Sequence, residues 1–100
     1  MYILLPMDTQ EVQEASLTKV SDAKIWAQML IEDGEVVEIL HADKYDGFEN
    51  FSNVVVLTDK NENPMPFMEL SMMALIAPMQ RSIDDIVEAY LFRELHDFPY

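Results

Sequence analysis

Two short, wholly apolar runs, VVVL at residues 54–57 and ALIA at residues 74–77, bracket a stretch that reads as a helix. Nothing else in the chain narrows the choice of fold as much. Runs of four residues with no polar position belong to strands buried on both faces. A helix between two such strands makes them a parallel pair, because parallel neighbours need a crossover whereas antiparallel ones need only a turn. A sheet buried on both faces must be layered by other elements, so the fold class is α/β.

The remainder of the chain supplies neighbours for that pair. Residues 2–6, YILLP, form another continuous apolar run and are expected as a central strand. Residues 23–31 and 35–40 flank Glu32-Asp33-Gly34. Asp-Gly between apolar segments marks a hairpin, since glycine accepts the positive φ of a tight turn. On the first hairpin strand Ile25, Ala27, Met29 and Ile31 point one way, and Lys24, Trp26, Gln28 and Leu30 the other. Residues 7–21 read as a polar loop with one helical turn near 11–15, and residues 41–53 as a connection broken by Gly47.

The helix between the parallel strands is expected over residues 64–73. Asn63 caps it, and Pro64 and Pro66 fall in the first turn, where a missing amide donor is no loss. Met65, Met68 and Met72 then recur at helical spacing. Thioethers suit Cu(I), but a methionine stripe beside Leu70, Leu75 and Ile76 reads as adaptable core packing. Ser82 stands three residues before Asp85, a variant of the capping box. Ile83, Ile86, Val87, Tyr90, Leu91 and Leu95 continue it as one apolar stripe, which predicts a last helix ending near Arg93 and His96.

One hundred residues make a single domain, residues 1–100. Nineteen acidic side chains against six basic ones leave a formal charge of −13. That field repels phosphate backbones and anionic lipid, so neither nucleic acid nor a membrane is an expected partner. No apolar run approaches the roughly 18 residues of a membrane span. The opening MYILLPMD lacks the basic flank and small-residue cleavage site of a secretory signal, so the expected location is cytoplasmic. Without cysteine there is no disulfide, thiolate metal site or redox thiol.

The stretch NVVVLTDKNENPMPFMELSMMALIAPMQRSIDDIVEAYLFREL resembles the second half of the dinitrogenase iron–molybdenum cofactor biosynthesis family, the nitrogenase accessory factor-like domains. Asn63-Pro64 matches the family's turn, ALIA its short strand and SIDDIVEAYLFREL its last helix, while MYILLPMD and DAKIWAQMLIEDGEVVEIL resemble its opening strand and hairpin. The resemblance implies a ribonuclease H-like five-stranded mixed sheet, in the order 3-2-1-4-5, with helices packed on it. It also implies an iron–sulfur or iron–molybdenum cluster as cargo. The chain departs from the family in three places. Where many members carry His-Phe-Gly-Arg-Ala, it has Lys19-Val20-Ser21-Asp22-Ala23. The gap before residue 54 is so short that the first crossover helix is shortened or absent. The cluster would find no cysteine and only two distant histidines.

These departures define the candidate sites. The switch point of such a sheet, where the first and fourth strands end, would be lined by Asp8, Thr9, Thr58 and Asp59, with Lys19 and Asp22 nearby. His41, with Asp43 and Asp46, is the one candidate metal ligand group, and the cofactor itself stays unknown. The missing crossover helix would leave the face carrying Lys24, Trp26, Gln28 and Leu30 open, which predicts a homo-oligomer or a protein partner there. Asp8 and Asp59 at neighbouring strand ends raise a metal-dependent hydrolase, but two-metal chemistry needs more converging carboxylates and a positive substrate site. No nucleophile motif or phosphate-binding loop is present, so the chain is not expected to be an enzyme. The expected function is a non-catalytic accessory domain that escorts a metal cluster; the alternative is a diverged interaction module that has lost it.

Overall fold

The computed structural model describes residues 1–99. At the centre of its sheet lies β1 (Tyr2–Met7), whose interior positions are all buried. The hairpin β2 (Ile25–Glu32) and β3 (Glu35–Ala42) lies on one side of it, β2 antiparallel to β1. On the other side β4 (Val54–Leu57) runs parallel to β1, and β5 (Met73–Ile76) parallel to β4. Asp33 and Gly34 close the hairpin with φ of 52° and 79°. Both are positive, as a turn that follows the strands' own twist requires.

The sheet has six strands, not the expected five in the order 3-2-1-4-5. A two-residue strand β6 (His96–Asp97) pairs antiparallel beyond β5, so the order is β3-β2-β1-β4-β5-β6. The extra strand exists because the last helix is shorter than its apolar stripe. That helix, α2 (Ile83–Leu91), stops when Arg93 adopts φ 58° and the Glu94 amide donates back to the Ala89 carbonyl at 2.7 Å. Leu95 therefore reaches the same core from a returning chain, and His96 sits on a strand instead of a helix end.

The helix between β4 and β5 is also shorter than expected. It is the single turn α1 (Met65–Met68), ended by Ser71 at φ 64°, and Met73 already belongs to β5. One turn can aim only one side chain at the sheet, and that residue is Phe67, fully buried. Met65 is 51% exposed and Met68 37%; of the expected methionine stripe only Met72 is buried. The reading of the stripe as core packing therefore holds for Met72 and fails for Met65 and Met68.

Two cores follow from strand alternation. Ile3, Leu5, Val54 and Val56 lie under Ile83 and Ile86 of α2 on one face. Leu4, Val55 and Leu57 lie under Phe67, Met72 and Phe98 on the other. No helix joins β3 to β4, yet the face beneath is not open as expected. Trp26 and Gln28 are 5% and 1% exposed. Tyr45 meets Trp26 edge-on at 5.7 Å, and Gln28 donates through Nε2 to the Asn50 carbonyl and to Ser52 Oγ, each at 2.9 Å. The connection itself is the lid. Of the four residues expected as a partner surface, Trp26 and Gln28 are covered by this connection, Leu30 is half-buried and Lys24 is exposed.

Candidate functional site

The parallel strands β1 and β4 pair only through Ile3–Val54 and Leu4–Val55. Pro6 explains why they part. Within a strand a residue's N–H and C=O point to the same side, and the Pro6 carbonyl points away from β2, accepting from the Thr18 amide at 2.9 Å. On that side Pro6 has no N–H to give β4. Residues 16–18 take over the edge: the Asp8 amide donates to the Ser16 carbonyl at 3.1 Å, and the Leu17 amide to the Arg81 carbonyl at 2.7 Å. The chain thus fills its own switch point.

The residues expected to line a crevice there hold loops together instead. Asp8 Oδ1 accepts from the Ser16 amide at 2.8 Å, Asp59 Oδ1 from the Asn61 amide at 2.8 Å, and Thr9 Oγ1 from the Glu11 amide at 3.4 Å. Lys19 and Asp22 are exposed at the ends of a single 3-10 turn, Val20–Asp22. Glu62, which carries no sequence signal, ties that turn to the loop after β4 by accepting from the Val20 amide at 2.8 Å. Thr58 is buried, its hydroxyl without a hydrogen-bond partner. Its alternation along β4 places it on the α2 face, with Val56, and not beside the Val20 turn. The two carboxylates of the hydrolase reading are both loop braces.

His41 stands on β3 opposite Ala27, with Nε2 shielded from solvent and unpartnered. Burial lowers its pKa below 6.5, which keeps the imidazole neutral near neutral pH. The other histidine, His96, is on β6. These are the two edge strands of the sheet, five inter-strand steps apart, or about 24 Å. Among the described residues no group of three or more His, Cys, Asp or Glu side chains is placed to hold a metal ion. This donor set does not fit a polynuclear metal cluster.

Concave apolar surface lies elsewhere. One groove, of about 360 Å³, runs between α2 and β3 and is lined by Val12, Val36, Ile39, Val87, Leu91 and Phe92. A second hollow, of about 550 Å³ and of mixed polar and apolar lining, lies on the other flank of α2, between Leu75, Tyr90, Arg93, Leu95 and Asp97. The stripe that builds α2 was visible in the sequence. The exposure of its member Leu91, and of Phe92 just beyond the helix, could not be recognised without knowing where the helix ends. Among the described residues no helix is long and apolar enough to cross a membrane.

No family model matches the sequence, and no curated protein matches it. By structure the chain is similar to PH0822, with a TM-score of 0.72 and 14% identity over 97% of this chain and 96% of that one. It is similar also to a protein described as a "putative dinitrogenase" (mj0327) from Methanocaldococcus jannaschii, with a TM-score of 0.75 and 16% identity over 97% of this chain and 93% of that one. What this chain shares with both is its fold, over almost the whole length of each.

Proposed function

We propose that the protein is a non-catalytic, cytoplasmic accessory domain of the dinitrogenase-cofactor type, with a ribonuclease H-like core, that works by contact with other proteins and not by carrying a cluster. The observation behind this reading is the placement of the donors: the two histidines sit on opposite edges of the sheet and there is no cysteine. A cluster bridging them is ruled out by distance, since such clusters span only a few ångströms. In support of the same reading, Asp8 and Asp59 each use one carboxylate oxygen to brace a neighbouring loop.

A second reading rests on one atom. His41 Nε2 is buried without a hydrogen-bond partner, and burial holds the imidazole toward its neutral, metal-binding form, which supports a role as a single ligand to escorted metal. Anaerobic incubation with an iron–sulfur or iron–molybdenum cluster donor, followed by gel filtration with iron analysis and visible absorbance, separates the two. A colourless, iron-free protein supports the contact reading. Iron that co-elutes with the protein and is lost in His41→Ala would replace it with the escort reading.

A further inference from the structure

The face under α2 is too wide for α2. A helix of nine residues is about 13 Å long and some 10 Å across, whereas six strands span about 24 Å. On the hairpin side of α2 the sheet meets the loop that carries Val12, and between α2 and β3 lies the groove. Val87 and Leu91 form one wall and Val36 and Ile39 the other. Val36, Leu91 and Phe92 are 36%, 39% and 71% exposed. Ala27, Met29 and Ile31 of β2 are already buried on this face, so the opening is the strip between α2 and β3, whose two apolar walls match the stripe of a helix laid along it.

We infer that this groove receives a basic amphipathic helix from another protein, an inference that rests on the contact reading above and names the partner's chemistry. Charge selects the occupant. Asp84 and Glu88 line the groove beside its apolar wall and are exposed; in sequence Glu11 precedes Val12 and Glu35 precedes Val36, against one basic neighbour, Arg93 after Phe92. Among the described residues no lysine or arginine lines the groove. A helix with an apolar stripe flanked by Lys or Arg completes both the packing and the charge. A second copy of this chain does not. Its one helix of useful length carries Asp84, Asp85 and Glu88, and each copy brings a net charge of −13.

The test uses a synthetic 18-residue Leu/Lys amphipathic helix, with its Leu/Glu counterpart and a Ser/Lys peptide of equal charge as controls. Each is titrated into the isotopically labelled full chain at low salt and followed by amide chemical shifts. The expected result is that only the Leu/Lys peptide shifts the amides around Val36, Ile39, Val87, Leu91 and Phe92. Phe92→Ser should weaken binding about tenfold, the scale of losing one interface anchor. Glu88→Lys should weaken it by a similar factor and flatten its salt dependence. Because Phe92 is mostly exposed, its variant keeps the fold, as thermal unfolding would verify. Shifts scattered over the acidic surface and equal for the Ser/Lys peptide would overturn the inference. So would groove shifts that grow with protein concentration alone, accompanied by a dimer in sedimentation, since the occupant would then be a second copy. Iron retention is measured on a separate sample, so failure of the contact reading and failure of this inference are told apart.

Discussion

Trp26 on β2 and Phe67 on α1 meet with ring centroids 5.7 Å apart and planes tilted by 48°. Tyr45 closes the group, its ring 5.1 Å from that of Phe67 at 66°. A hairpin strand, a one-turn helix and an irregular connection are thereby joined through three rings on one face of the sheet. Phe67→Ala removes the shared member. The expected loss is about 3–5 kcal/mol, read as a lower urea midpoint. Tyr45→Ala uncovers the indole and should shift Trp26 emission to the red with a smaller stability loss, and an unshifted spectrum would mean the lid is not closed in solution.

The hairpin turn gives a backbone test. Gly34 has φ 79° and open space around the position of a missing Cβ, so a substitution there meets conformational strain and no clash. Gly34→Ala should destabilise by about 1–2 kcal/mol, the cost of placing an L side chain in the left-handed region. A neutral result in chemical denaturation would imply that the turn relaxes to another type.

Ser82 begins α2 by accepting the Asp85 amide at 3.1 Å. Ser82→Ala should lower stability by about 1 kcal/mol, and Ser82→Asp should retain most of it. Both are measured from urea midpoints at constant slope.

His41 sets a pH dependence with a definite sign. Its folded pKa lies below the unfolded value of 6.5 because burial disfavours the imidazolium. Its contribution is complete above the unfolded value and is lost as pH falls through 6.5 toward the lowered folded value. The comparison runs from pH 7 to 5, where the parent and a His41→Gln variant differ by this one group. His41→Gln should show a smaller fall in melting temperature across that interval than the parent. Parallel curves would mean that the ring is solvated.

Much of the fold was legible because it follows from local chemistry. The wholly apolar runs marked β1, β4 and β5, Asp33-Gly34 the hairpin, and Ser82 the start of α2. The ends of both helices were not legible, since Ser71 and Arg93 take positive φ without being glycine or asparagine, and only tertiary packing holds them there. The short connection after β3 correctly signalled a missing helix. Whether Tyr45 and Phe48 would fold back over Trp26 depended on contacts distant in sequence. Asp8, Thr58 and Asp59 were correctly placed at strand ends, but the competing claim of residues 16–18 on the β1 edge has no local signature.

That claim has a wider meaning. In open α/β sheets, selectivity for small molecules is written into the seam where neighbouring strands part. Here an imino ring at position 6 parts the strands and a stretch of the chain's own backbone is sewn into the opening. On the contact reading proposed above, substitutions that diversify specificity would gather on the rim of α2 and along β3, away from the loops at the strand ends.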